Sequence, residues 1–312
     1  MTVSDEAPPD RPVDPVSDDL PAPEALLIDD PTAEAAGRLG RRNLHLADAL
    51  RAGLLVVLGL YFLLPLVAMA RFALQQVPVA LLEWGNVTEG WSVERLGAAL
   101  TDADTLTTAQ RSLLLAVAAI LLTFVLLLPV ATYVEVRALE LRGVVTLLTL
   151  TPWVVPPIAL VVGVAATFRT AAPWFLASTY SLVPFYTLWA LPFSYRAIDA
   201  GLRAIDTRTL HEAAMSIGAS EATFLLRVLL PNIGSSLLVV AALTGATVLG
   251  EFAFASLLLK QTLPTHLVVL QGSDARAGLA LALVVLLATT ALIGLTAAVL
   301  RRRGLTFNAA GI

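Results

Sequence analysis

The chain has 312 residues, of which 57% are hydrophobic and 14% charged, with a formal net charge of −4 and a mean hydropathy of +0.81. Because an average soluble domain carries about a quarter charged residues, this composition excludes an ordinary water-soluble domain and predicts a membrane protein. The absence of cysteine excludes disulfide scaffolds, cysteine-ligated zinc, iron–sulfur clusters and thiol nucleophiles.

The negative net charge comes from the first 34 residues, which contain ten acidic residues and a single arginine, Arg11. Seven prolines and few large apolar side chains leave this segment too little buried surface to offset the entropy cost of ordering. We predict that residues 1–43 form a disordered, acidic, proline-rich cytoplasmic tail, which is either a binding segment or a plain solvated extension. Residues 44–303 then form the membrane domain, and residues 304–312 form a short cytoplasmic tail.

Six apolar stretches are long enough to cross a hydrocarbon core, which needs about 20 helical residues. Helix is the expected geometry because lipid offers no hydrogen-bond partners to backbone N–H and C=O groups. The sequence therefore predicts an all-α membrane protein with six transmembrane helices, placed at 52–70, 112–134, 143–168, 174–192, 234–259 and 278–300.

Three prolines interrupt the third predicted span: Pro152, Pro156 and Pro157. Each proline lacks a backbone N–H and its ring clashes with the preceding helical turn, so we predict a broken span. A break of this kind either lines a cavity or provides a kink for packing against a neighbouring helix, and the sequence leaves both interpretations open.

The distribution of arginine indicates the orientation, because cytoplasmic loops of membrane proteins are enriched in basic residues. If the N-terminus lies in the cytoplasm, most of the basic residues, including those at 301–303, fall on the cytoplasmic side. We therefore predict that both termini are cytoplasmic. The long connection 71–111 then lies outside, and the long connection 193–233 lies in the cytoplasm between the fourth and fifth spans.

The cytoplasmic connection begins with a short amphipathic pattern. Apolar residues recur at i, i+3, i+4 and i+7, which predicts one apolar stripe on a helix over 206–217, formed by Leu210, Ala213, Ala214 and Ile217. Asp206 is a favourable N-cap, and Thr209 with Glu212 offers a second possible start. Gly218 follows the helix, where a left-handed backbone costs glycine little.

A second helix is predicted directly after this glycine. Ser220 is suited to cap its start, and Pro231 is expected to limit its continuation. The predicted unit is therefore helix, glycine turn, helix over residues 206–231. We expect His211 to be a surface residue of the first helix rather than a proton switch.

Fixed positions across this unit carry a resemblance to a known family: Glu212, Ala213, Ala214, Gly218, Leu230 and Pro231, with Val228 where isoleucine is common. The pattern resembles the cytoplasmic EAA loop of binding-protein-dependent ABC importer permeases. The resemblance implies that the first helix is a coupling helix seated in a groove of a separate ATPase subunit. Glu212 would supply a polar contact, the two alanines would permit close approach, and the glycine would set the bend.

The same resemblance implies partners and a location. These are two ATP-binding-cassette ATPase subunits, a second identical or similar permease subunit, an extracytoplasmic solute-binding protein and the surrounding lipid of a bacterial plasma membrane, with no nucleic acid. Lys260 is the sole lysine and follows no glycine-rich loop, so the chain has no P-loop and ATP hydrolysis falls to a partner. Three scattered histidines offer no metal-ligand set, and we predict no catalytic residue, metal or cofactor.

The clearest charge inside a predicted span is Glu251, with Thr247 and Thr244 one and two helical turns before it. A carboxylate at this depth is costly unless it faces a watery cavity or a partner, so these three residues are candidates for the solute path. A structural bond from Glu251 to a neighbouring helix is the alternative. The triplet Gly250-Glu251-Phe252 also resembles the permease branch that serves polyamines, ferric iron, phosphonates, sulfate and molybdate.

The sequence therefore predicts a permease subunit that forms the path for a small polar solute. Two other functions stay open. One is an ion-coupled secondary transporter that uses Glu251 as its proton site and needs no ATPase. The other is a membrane scaffold without transport activity.

Overall fold

The structure is a computed structural model that describes residues 31–77, 81, 83–86 and 88–302. Only the backbone is described for residues 31–47, 49 and 84. Most of the predicted acidic tail, residues 1–30, and all of the predicted tail 304–312 lie outside the described residues. Within the described ranges the regular elements are helical, and extended pairing is limited to one isolated bridge between Gln75 and Trp91.

The chain divides into two units, Met1–Leu63 and Leu64–Ile312. The first helix, α1 (Pro31–Leu74), belongs to both, so the described part of the predicted tail from residue 31 to residue 43 is helical. In the first unit, apolar side chains such as Leu55 and Phe62 are exposed, as expected of residues that face lipid.

The second unit continues with helices of very different lengths, separated by short 3₁₀ turns at Trp84–Asn86, Leu139–Leu141 and Thr179–Ser181. Its helices up to residue 204 are α2 (Glu94–Thr101), α3 (Ala103–Arg137), α4 (Arg142–Val154), α5 (Pro157–Ala171), α6 (Pro173–Ala177) and α7 (Leu182–Ala204). Those that follow are α8 (Thr207–Ser216), α9 (Glu221–Thr223), a π-helical segment (Phe224–Leu229), α10 (Leu230–Asn232), α11 (Gly234–Gly250), α12 (Ala253–Leu257), α13 (Leu263–Ser273) and α14 (Ala275–Arg302).

The centre of the second unit is the packing of α3, α7 and α11. Small side chains such as Ala116, Ala119 and Ala131 are buried on α3, and small residues let membrane helices approach closely. Larger side chains fill two clusters along the bundle. One contains Phe185 and Phe254, and the other contains residues of the segment 206–231 as well as α3 and α7.

Three helical stretches are long and apolar enough to cross a membrane: Leu50–Leu74 in α1, then α3 and α14. Two bent pairs add to this set. The segment Leu139–Val154 meets α5 at 90°, and the segment Glu221–Asn232 meets α11 at 80°. The described residues thus provide three to five candidate spans, against the six that the sequence predicts.

The predicted break in the third span is confirmed, because the chain bends between α4 and α5 directly before Pro157. Trp153 anchors the end of α4 on α7: its indole stacks on Trp189 with 5.2 Å between ring centroids, and its Nε1 donates to the Trp189 carbonyl at 2.9 Å. The prolines therefore produce a corner that is packed against a neighbouring helix.

Two predicted spans have wrong boundaries. The fourth was expected at 174–192, but α7 begins only at Leu182 and runs through Pro192 to Ala204. Hydropathy marks where apolar side chains stop, whereas the hydrogen-bonded helix continues into polar sequence. The fifth was expected at 234–259, but α11 ends at Gly250 and the chain turns before α12.

The hairpin of α13 and α14 depends on a glycine at its corner. A Cβ atom at Gly278 would lie 2.7 Å from the backbone nitrogen of Gln271 and 2.8 Å from its Cα, closer than side chains normally approach. We expect Gly278→Ala to destabilise the protein by about 1–3 kcal/mol, as overpacked sites do. Thermal unfolding in detergent measures this.

The matched control is Gly272→Ala on α13, where a Cβ atom would meet no atom within 4 Å. Alanine has a higher helix propensity than glycine, so this control should keep or raise the unfolding temperature. Equal melting of the Gly278→Ala protein and the unsubstituted protein would contradict the close approach.

Candidate functional site

The connection at 193–233 folds as predicted into two helices around a glycine turn. Gly218 has a φ of 80°, and its N–H donates to the Met215 carbonyl at 3.0 Å. A Cβ atom at this position would meet nothing within 4 Å, so the left-handed backbone conformation, not space, requires glycine here. The predicted cap on the second helix is also confirmed, since the Ser220 hydroxyl accepts from the Thr223 N–H at 3.2 Å.

The start of α8 differs from the prediction. Asp206 precedes the helix with a left-handed backbone, and its carboxylate accepts from the Thr209 hydroxyl at 2.8 Å instead of from a backbone N–H. The Thr209 hydroxyl is therefore bonded to Asp206 within this turn, and Thr209 and Glu212 do not form the cap of a second helix start. Thr207 is fully buried and donates to the Leu202 carbonyl at 2.6 Å, which ties α8 to the end of α7.

Pro231 limits the second helix as predicted, because the helical stretch ends at Asn232, one residue later, and the chain then bends by 80° into α11. The segment that leads into this proline, Phe224–Leu229, is π-helical. A π-helical turn pairs residues five apart and is wider than an α-helical turn, so it accommodates a residue that has a ring and no N–H.

The buried stripe of α8 is rotated from the predicted one. Thr207, His211 and Ala214 are buried, whereas Ala213 is exposed and Ile217 is 85% exposed. Glu212 is exposed as well. The stripe shifts because the second helix packs against His211, and the outer face of α8 is left with small, apolar and acidic side chains open to a partner.

His211 is buried, which corrects the expectation of a surface residue. Its ring packs edge-on against Phe224, with 4.9 Å between centroids, and its Nε2 lies 2.9 Å from Oε2 of Glu221. The other carboxylate oxygen of Glu221 accepts from Arg137 at 2.6 Å. This chain of contacts, named here the Arg137–Glu221–His211 bridge, connects the loop to the last turn of α3.

The sequence gave no signal for this bridge, because its arginine and glutamate are 84 positions apart. Beside the bridge lies a cavity of about 450 Å³ between α3 and the loop, lined in part by Thr132 and Leu225. A second charged group stands at the same end of the bundle. Arg142 pairs with Glu135 of α3 and with Asp199 of α7, so the loop sits beside a cross-linked set of helix ends.

Glu251 lies at the break between α11 and α12, buried to 8% exposure. Its Oε1 accepts from the Phe254 N–H at 2.9 Å, so the carboxylate caps α12, with Tyr186 of α7 as a neighbour. Thr244 is fully buried and shares a hydrogen bond of 3.2 Å with Ser194 of α7. Thr247 donates to the Leu243 carbonyl of its own helix.

These three candidate path residues therefore make structural contacts in this conformation. The cavity beside the loop and the cavity described below are lined by other residues. The observed capping bond corresponds to the structural alternative for Glu251, and a role in the solute path stays a prediction.

The geometry defines a helical membrane protein. Its helix–turn–helix segment at 206–231 lies beside the end of the bundle that carries the ion pairs of Arg137 and Arg142. The chain matches no protein-family profile. It is similar to the "Probable ABC transporter permease protein y4fN" of Sinorhizobium fredii (strain NBRC 101917 / NGR234), with 30% identity over 112 residues. The match spans 34% of this chain and 20% of that protein, so it is a distant similarity to a transport permease.

Proposed function

We propose that this chain is a transmembrane permease subunit of an ATP-binding-cassette importer. It forms the translocation path for a small polar solute, crosses the bacterial plasma membrane six times with both termini in the cytoplasm, and performs no ATP hydrolysis itself. Two ATPase subunits dock on residues 206–231, a second permease subunit completes the path, and an extracytoplasmic binding protein delivers the solute.

The observation that carries this proposal is the outer face of α8. Ile217 is 85% exposed directly after α8, and Ala213 and Glu212 on the helix are exposed as well. Small residues permit close backbone approach, and an exposed apolar side chain with a polar neighbour is typical of a protein contact surface. Of the exposed residues on this face, the EAA resemblance assigns Glu212 and Ala213 to the ATPase contact. Ala214, which it also assigns there, is buried, and Ile217 is an addition from the structure.

The contacts around the loop provide a mechanical connection from such a partner to the bundle. Thr207 fixes α8 to the end of α7, and the stretch Glu221–Asn232 leads through an 80° bend into α11. A movement of α8 would therefore be passed to two of the three central helices. Transport in this scheme is a shift between two packings of the bundle, each favoured by a different nucleotide state of the partner.

A single-cysteine cross-link tests the docking surface, because the natural chain contains no cysteine. With Ile217→Cys, a short bifunctional reagent is expected to join the chain to an ATPase subunit in native membranes. Leu106→Cys is the control, since Leu106 is 56% exposed in the first turns of α3 at the other end. No cross-linked ATPase from Ile217→Cys, or equal yields from both positions, would overturn the proposal.

The rival function is an ion-coupled carrier that protonates Glu251, and the buried carboxylate is the observation in its favour. Glu251→Gln separates the two functions, because a glutamine oxygen can still accept from the Phe254 N–H while the side chain no longer titrates. We expect the variant to keep at least half of the ATP-driven uptake. Loss of uptake with an unchanged unfolding temperature would favour the carrier, as would transport by the purified chain alone in vesicles.

A further inference from the structure

A second cavity, of about 500 Å³, lies at the end of α3 that is distant from the loop. It is enclosed by the first turns of α3, the segment 252–261 and the start of α13. Arg111 in this cavity and Arg137 in the loop bridge are 26 residues apart on one helix, which corresponds to about 39 Å. The cavity is therefore separate from the docking surface.

The charged side chains that line the cavity are mostly cationic. The lining contains Arg111, Lys260, one carboxylate, Asp104, and His266. Behind the lining, the Asp102 carboxylate lies 3.9 Å from Nε2 of His266. Apolar side chains, among them Phe252 and Val268, form part of the wall. Phe252 and Val268 are 42% and 50% exposed, so the cavity is open on one side and a solute can reach its positive charges.

The two cations differ in how they are held. The Nζ of Lys260 donates to the carbonyls of Leu176 at 2.6 Å and Ala177 at 2.9 Å, which fixes its position and uses two of its three donors. Among the described residues, the guanidinium of Arg111 is held by one long contact of 3.5 Å to Oε1 of Gln261. Most N–H donors of the Arg111 guanidinium are thus available to a ligand, and so are the two N–H donors of the Gln261 amide.

The backbone beside Lys260 is strained in a way that positions this lysine. Leu259 has a φ of 54°, which a branched side chain rarely adopts, and it is 90% exposed. The next residue, Lys260, donates its backbone N–H to the Ala255 carbonyl at 2.8 Å, so the turn is closed tightly after α12. With the bond from the Leu259 N–H to the Ser256 carbonyl at 3.1 Å, this is the hydrogen-bond pattern of a helix C-cap, so the end of α12 places Lys260.

We propose that this cavity binds a small oxyanion of the phosphate or sulfate class, with Arg111 as its main ligand and Lys260 as a fixed second charge. A guanidinium fork matches two oxygens of such an anion with charge-assisted hydrogen bonds. The anion is either a free solute or the phosphate of a lipid headgroup. This binding site stands whether or not the loop docks an ATPase, so the two proposals fail independently.

Thermal unfolding of the purified full chain in detergent tests the site. Sodium phosphate and sodium sulfate are titrated against sodium chloride at constant ionic strength, and the dependence of the unfolding temperature on concentration gives the affinity. A lipid arm uses nanodiscs of phosphatidylglycerol against phosphatidylcholine. We expect saturable stabilisation by free phosphate or sulfate, or by phosphatidylglycerol if the source is lipid.

Arg111→Gln is expected to weaken the anion affinity about 10- to 100-fold, the range for loss of charge-assisted hydrogen bonds. Asp104→Asn should strengthen it several-fold by removing the one opposing carboxylate in the lining, which a purely structural role would not do. Arg169→Gln is the matched control, an exposed arginine at the end of α5 outside the cavity. Stabilisation that survives Arg111→Gln, or none by any of the probes, would overturn the site.

Discussion

Glu212→Lys is expected to remove the ATPase subunit from the purified complex and to lower ATP-driven uptake at least tenfold. Glu212 pairs with Arg208 at 3.1 Å, but both side chains are more than 60% exposed, so their interaction contributes at most a few tenths of a kcal/mol to folding. The folded protein hardly depends on this carboxylate. A loss of function would therefore report on a partner surface that has been given the wrong charge.

Three measurements decide the outcome for Glu212→Lys: the amount of the chain in the membrane, retention of the ATPase subunit in mild detergent, and uptake. Glu94→Lys is the control, an exposed glutamate at the start of α2 and distant from the loop in sequence. It should leave all three values unchanged. Unchanged uptake with Glu212→Lys would count against a coupling loop and in favour of a scaffold without transport activity.

The second large effect concerns the Arg137–Glu221–His211 bridge. We expect Arg137→Gln and Glu221→Gln each to lower ATP hydrolysis by the assembled complex about tenfold while the ATPase subunit remains bound. The glutamine at position 221 can still accept from His211, so the change is confined to the link with α3. The salt bridge itself is exposed on both sides and contributes less than about 1 kcal/mol to stability.

A double-mutant cycle provides the decisive measurement for this bridge. If the link carries motion from the loop to α3, the double variant should be no slower than either single variant. Arg95→Gln is the control, because Arg95 forms an ion pair with Asp274 at the same 2.6 Å distance but away from the loop. Simple multiplication of the two single effects would mean that the residues act separately and that the bridge transmits nothing.

Features that depend on local backbone chemistry were predicted correctly. Gly218 adopts a left-handed conformation, Ser220 caps the following helix, and the third span breaks at its prolines. Each of these features is decided by residues within a few positions along the chain. Local rules are sufficient here because one residue decides the backbone conformation in each case: a glycine that tolerates positive φ, a proline without an N–H, and a serine that caps the helix.

Features that depend on distant partners were not predicted. Burial of His211 requires Phe224 and Glu221 from the next helix, and no pattern within α8 indicates them. The end of α11 before Glu251 has no proline to mark it; the carboxylate itself caps the next helix there. The helix-period pattern therefore predicted the helix–turn–helix at 206–231 correctly but the wrong buried face of α8. Hydropathy alone merged α11 and α12 into one predicted span across the polar corner at Glu251.

The π-helical segment Phe224–Leu229 has a geometric consequence for the link between loop and bundle. A π-bulge holds one surplus residue, and each residue of an α-helix advances the azimuth by about 100°. Because the wider turn absorbs the surplus residue, deleting one residue would restore ordinary winding and leave the orientation of the upstream part, including α8, nearly unchanged. Winding the same residues as an ordinary α-helix would instead rotate that part by about 100°. The bulge thus lets the loop carry one additional residue without turning α8 away from its contacts with α3 and α7.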